Sequence, residues 1–169
     1  MTESVSPNTA AAEELRHTTA TSAITAQPHR TTFGKRERIV SRKLLDRLFA
    51  GVGSRSMGAF PLRAVYITVE RGAHDAPVQV LITVSKRHFK RAVKRNRVKR
   101  QIREAYRHNR HLLDSAILPT PERALALAFI WQADELYPTA DITVAMQSLL
   151  TRLAEKLCRN TENRQHPAS

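Results

Sequence analysis

The stretch SKRHFKRAVKRNRVKRQIREAYRHNR, residues 85–110, decides how this 169-residue chain is read. It holds twelve Lys or Arg residues and a single acid, Glu104. A charge run is ordinarily a solvated face or a flexible tail. This one is interrupted by Val93, Val98, Ile102, Ala105 and Tyr106, which a tail would not need. At about 100° per residue, Val98, Ile102, Ala105 and Tyr106 share one face of a helix. Asn96, Arg100, Arg103 and Arg107 share the opposite face, with Lys99 beside them. The pattern predicts a docked helix that presents a basic rail. Phe89 and Val93 do not share the apolar face. Either the helix begins near Ala92, with Lys86 to Arg91 as a basic loop leading in, or its first turn packs against something else.

The rail agrees with the whole composition. A formal net charge of +13 points to polyanionic partners: RNA, DNA or an anionic membrane surface. No apolar run approaches the ~18 residues that span a bilayer, so no membrane role is expected. The N-terminus lacks a secretory pattern, and the lone Cys158 fits a reducing cytoplasm. Cys158 reads as a packed thiol rather than a nucleophile. Phosphates spaced along a backbone suit such a rail, because each neutralised phosphate releases condensed counterions. Arginine adds a bidentate fork, and Asn96 can meet a base edge or a 2′-hydroxyl. Zinc-finger spacing, zipper heptads and a helix-turn-helix partner are all missing, which favours RNA over DNA.

On either side the chain reads as alternating short elements. Residues 1–32 are rich in Ser, Thr, Ala and Pro and are expected to be a disordered tail. Ser41 suits a helix N-cap and Gly51 a stop, with Leu44, Leu45, Leu48 and Phe49 at helical spacing between them. Gly51 to Gly58 reads as a glycine-rich turn. Phe60 to Val69 and Val78 to Val84 read as strands, antiparallel neighbours joined by residues 71–77. Pro119 and Pro121 break the chain after the basic segment. Ala124 to Trp131, apolar on both faces, suits a strand in the middle of a sheet. A last helix repeats Ile142, Met146, Leu149, Leu153 and Leu157. The fold class expected is α+β: a small mixed sheet packed on helices as a two-layer sandwich, order α-β-β-(β)-α-β-α. The domain is expected over 33–160, with 161–169 a disordered C-terminal tail.

Arg91-Ala92-Val93-Lys94-Arg95-Asn96-Arg97-Val98-Lys99-Arg100, followed by Ile102-Arg103-Glu104-Ala105, resembles the signature of the bacterial ribonuclease P protein family. Phe33-Gly34-Lys35-Arg36-Glu37-Arg38-Ile39 is similar to that family's Phe-x-Lys-x-x-Arg opening. The resemblance covers roughly residues 33–158. It implies a left-handed crossover through the basic helix. It also implies membership of a ribonucleoprotein endoribonuclease that removes the 5′ leader of precursor tRNA, with catalysis by RNA and Mg²⁺ bound mainly by that RNA. The partners implied are the catalytic RNA and precursor tRNA, with no obligate protein partner. Carried onto this chain, Arg95, Asn96, Arg97, Lys99, Arg100 and Arg103 would contact the catalytic RNA. Lys86, Arg87, Lys90, Arg91, Lys94 and Arg107 extend the same surface. The leader would lie between the first helix and the sheet, near Leu45, Phe49, Phe60 and Arg63. Three positions depart from the family pattern: Leu45 and Arg63 stand where aromatics are common, and Trp131-Gln132 where a basic residue is usual. Leu45 and Phe49 read equally well as ordinary core.

A protein-borne nuclease site would need clustered carboxylates or a His pair. Between Asp46 and Asp134 the acids are Glu70, Asp75, Glu104, Asp114 and Glu122, scattered along the chain. His108 and His111, at helical spacing, read as solvated RNA-facing residues rather than a metal site, and Ser85 has no adjacent His–Asp pair. No catalytic residue and no metal ligand is expected from the protein. The competing expectation is an rRNA-binding ribosomal or ribosome-assembly protein that uses the same helix without catalytic association.

Overall fold

A strand that is apolar on both faces must be covered on both faces, and this requirement organises the molecule. The computed structural model describes residues 33–165, with side chains to Thr161. Its elements are α1 (Arg42–Phe49), β1 (Arg55–Ala59), β2 (Leu62–Glu70), β3 (Val78–Thr83), α2 (Ala92–Asn109), α3 (Asp114–Ile117), β4 (Arg123–Trp131) and α4 (Thr139–Gln165). The strands form one sheet in the order β1-β2-β4-β3. β4 lies inside it, and Ala124 to Phe129 are all buried. Its two neighbours run in opposite senses: β2 is antiparallel, with Tyr66 opposite Leu127, and β3 is parallel, with Val80 opposite Leu127. The parallel pair needs a long crossover, which α2 and α3 supply.

Leu125, Leu127, Phe129 and Trp131 of β4 point into the larger core with Ile102 and Tyr106 of α2 and Ile142, Met146, Leu149, Leu150 and Leu153 of α4. Ala126 and Ala128 point the other way, into a smaller core with Ile39, Leu48, Val65 and Ile67. The main sandwich is thus the sheet against α2 and α4, and α1 covers part of the outer face. Small alanines on that side of β4 let the short helix approach closely. Ser41 caps α1 by accepting from the Leu44 amide at 3.4 Å. Gly51, at φ 81°, takes the left-handed position just past the helix end, where a side chain would be strained.

Four sequence expectations are corrected. β2 and β3 are not neighbours, because β4 inserts between them. The doubly apolar strand gains more from two paired edges than β3, fully buried only over Val78 to Val80, would. The loop over residues 71–77 is long enough to pass one strand. Backbone bonds seat that loop, from Arg71 N to Glu122 O at 2.8 Å and from Leu125 N to Pro77 O at 2.9 Å. Residues 55–59, expected within a glycine-rich turn, form edge strand β1, paired with β2 from Arg55–Tyr66 to Ala59–Leu62. Phe60 and Pro61, joined by a cis peptide bond, make the hairpin connection, so β2 starts at Leu62 rather than Phe60. α4 continues to Gln165, past the boundary expected at 160. Of the disordered tails expected over 1–32 and 161–169, residues 1–32 and 166–169 lie outside the described residues.

Candidate nucleic-acid interface

α2 begins at Ala92, which settles the open question about its start in favour of a separate basic loop over residues 85–91. The helix docks through Val98, Ile102, Ala105, Tyr106 and Asn109, all buried. Tyr106 packs against Phe129 of β4 and, edge-on at 6.1 Å, against Phe33. The two motifs that were far apart in sequence therefore touch. Arg38 lies 5.6 Å over the same Phe33 ring, and Glu37 pairs with Arg110. Burial pushes the Tyr106 phenol well above its ordinary value, with Arg110 acting weakly against it. The buried Asn109 is satisfied: it donates to Ala105 O at 2.8 Å and accepts from Gln147 of α4 at 3.0 Å. Gln101 donates to Tyr137 O and Thr139 Oγ1, which fixes α2 against the start of α4.

The opposite face is basic, and its members differ. Lys94, Asn96, Arg97 and Arg100 are exposed, as are Lys86, Arg87, Lys90 and Arg91 on the loop. Lys99, Arg103 and Arg107 are half-buried. The Nε atoms of Arg103 and Arg107 are buried and meet no partner among the described residues. Arg107 donates through Nη2 to Glu104 at 2.7 Å, and His108 stands 3.3 Å from the same carboxylate. Glu104 thus holds Arg107 against the helix, and the open part of the rail is Lys94-Asn96-Arg97-Arg100. Arg95 is half-buried, and its Nη1 donates to Phe89 O and Lys90 O.

The loop that precedes α2 is built rather than loose. Phe89 is buried and its ring lies 6.5 Å from that of Trp131. His88 Nδ1 sits 2.7 Å from Asp134. Ser85 Oγ accepts from the Arg87 amide at 3.1 Å. Trp131, standing where the family commonly has a basic residue, is fully buried and donates to Ala133 O at 2.6 Å. It serves as the floor on which the loop sits.

A cleft of about 330 Å³ opens between α1 and the outer sheet face, lined by Phe49, Arg55, Ser56, Arg63, Val65 and Ile130 among others. It brings together two of the four residues expected there. Phe49 is 50% exposed at its rim, and Arg63 projects beside it, donating to Ser56 Oγ at 3.1 Å. Leu45 packs with the smaller core instead. Phe60, 65% exposed, is not in the cleft: it stands edge-on to Tyr137, which packs against the larger core. Sequence reasoning missed Ser56, and also Arg55 of the same strand, whose guanidinium turns to the helical side and donates to Asn160 Oδ1 at 3.4 Å. Their strand was hidden among glycines, and the alternation of Arg55, Met57 and Ala59 was its only trace. A second recess, about 320 Å³, lies on the helical side near Tyr66, Ile117 and Leu157, away from the rail.

No cluster of His, Cys, Asp and Glu among the described residues could hold a metal ion. Glu37 and Glu104 are tied to arginines. The residues present do not fit a protein-held Mg²⁺ site. No helix among them is long and apolar enough to cross a membrane.

The family model described as Ribonuclease P matches residues 33–154. The ribonuclease P protein component of Porphyromonas gingivalis is 41% identical over 127 residues, covering 73% of this chain and 88% of that protein. That of Chlorobaculum tepidum is 38% identical over 98 residues, covering 54% of this chain and 62% of its own length. Among solved structures, the RNase P protein from Thermotoga maritima superposes with a TM-score of 0.52 at 18% identity, covering 69% of this chain and 96% of that one. A Staphylococcus aureus RNase P protein mutant gives 0.51 at 19% identity, covering 70% and 88%. At such identities the superpositions speak for the fold alone.

Proposed function

The chain belongs to the bacterial ribonuclease P protein family, and from that premise we propose that it is the RNA-binding subunit of the ribonucleoprotein that trims the 5′ leader from precursor tRNA. The observation that carries this reading is the two-sided α2. Val98, Ile102 and Tyr106 lock one side into the core, so Lys94, Asn96, Arg97 and Arg100 stand on a rigid surface. A rigid row of cations meets a phosphate backbone without the ordering entropy that a flexible tail would lose. With the loop residues Lys86, Arg87, Lys90 and Arg91 it forms the surface that meets the catalytic RNA.

The α1 cleft is the leader site. A half-exposed Phe49 offers a stacking face, and Arg63 offers charge to the backbone of a single strand. Arg63 replaces an aromatic surface by a phosphate contact. Cleavage chemistry lies with the RNA and its Mg²⁺; among the described residues no cluster of His, Cys, Asp and Glu could hold a metal ion. Lowering charge repulsion between catalytic RNA and substrate is the protein's contribution, and its setting is the cytoplasm, where tRNA precursors are processed.

The test is reconstitution. At low Mg²⁺, the purified protein added to catalytic RNA and a precursor tRNA should stimulate release of the leader above RNA alone. Absence of stimulation across a titration of protein would overturn the proposal.

A further inference from the structure

Arg95 stands inside the densest part of the basic helix, yet its bonds run back along its own chain. Nη1 donates to Phe89 O at 2.8 Å and to Lys90 O at 2.6 Å, and the side chain is half-buried. Those carbonyls belong to the last turn of the loop before α2. A carbonyl that precedes a helix lies outside the helical ladder and needs a partner from elsewhere. A guanidinium reaching back from the first turn of the helix supplies both at once, through charge-assisted bonds stronger than neutral ones. Other anchors hold the same loop: the Phe89 ring on Trp131, His88 on Asp134, and Ser85, whose Oγ accepts from the Arg87 amide and whose carbonyl accepts from the Phe89 amide at 3.4 Å. None of them holds the carbonyls of Phe89 and Lys90, where the chain turns into the helix. Only Arg95 does so among the bonds found there.

We propose that Arg95 is a positioning residue: it fixes the loop that carries Lys86, Arg87, Lys90 and Arg91 in the shape that meets RNA, and does not itself bind phosphate. The second half of this statement rests on the RNA-binding reading above; the first half does not. Arg97, two residues on, is exposed and takes the opposite role. Like charge in sequence thus divides into one cation that shapes the surface and its neighbours that use it.

The experiment compares Arg95→Met, Arg95→Lys and Arg97→Met in the full chain, each confirmed as folded by its thermal unfolding midpoint. Without RNA, limited trypsin digestion reads the loop directly, because cleavage after Arg87 or Lys90 requires local opening. Loss of the two bonds should speed that cleavage about ten-fold in Arg95→Met, while Arg97→Met matches the parent protein. With the catalytic RNA, affinity of Arg95→Lys should follow its loop protection rather than its retained charge. A loop as protected in Arg95→Met as in the parent overturns the proposal. So does a lysine variant that recovers full affinity while its loop stays open. Should the parent protein fail to bind the RNA, the functional reading fails, and the protease result still decides what Arg95 does.

Discussion

Arg95 and Arg97 show how little a residue's type says about its work. Both are arginines in a string of cations, and only the packing around them separates a half-buried side chain tied to two carbonyls from an exposed one. Tyr106 makes the same point for the core. Its phenol is held above its ordinary value of 10.0, chiefly by burial. The folded state therefore keeps a proton that the unfolded chain releases first. The stability contributed is fully present below about pH 10 and is lost as pH rises above it. Denaturant unfolding between neutral pH and about pH 11 should show that decline, and Tyr106→Phe should make it shallower. Tyr66, also raised by burial, leaves a residual decline of the same sign. Ile102, fully buried under the rail, should cost about 2–5 kcal/mol when cut to alanine, read from the same unfolding curves.

At the scale of elements, the contacts proposed for α2 and α1 lie on the side of each helix that the core does not need. Replacing Arg97 and Arg100 together by Glu leaves the buried face of α2 untouched. RNA binding should weaken sharply. The slope of log affinity against log salt should flatten by about 0.7–0.9 for each phosphate that the rail no longer neutralises. An unchanged slope would mean that the rail faces something else. On α1, Leu48 is buried while Phe49 is half exposed, so Phe49→Ala should barely alter stability. It should weaken binding of precursor tRNA by about 1–3 kcal/mol, one stacked base, with mature tRNA unaffected. Equal weakening for both tRNAs would place the leader elsewhere. β1 was the element hardest to foresee, since a five-residue strand with Gly58 in it has no apolar period to display. Its position at the sheet edge is set by pairing with β2, and the cleft residue Ser56 comes with it.

At the scale of the molecule, β4 joins everything, because alternate residues feed both cores: Leu127 and Phe129 on one side, Ala126 and Ala128 on the other. Two cores sharing a strand should melt together. Leu48→Ala in the smaller core should lower the same transition that Ile102→Ala lowers, with far-UV dichroism and the fluorescence of the single Trp131 coinciding. A separate early transition would show α1 unfolding by itself. The sequence alone determined α1, α2 and α4, the central burial of β4, the two faces of α2 and the family. Each of these rests on local periodicity or a contiguous motif, which one segment can carry. Tertiary structure decided what depends on distant partners. It placed β4 between β2 and β3, moved Phe60 out of the cleft and drew Ser56 into it, and set Phe33 against Tyr106. It also turned Arg95 from an expected phosphate ligand toward the loop behind it. Strand order and side-chain partners are chosen by the burial and hydrogen bonding of the whole sheet, and no window of sequence contains that choice.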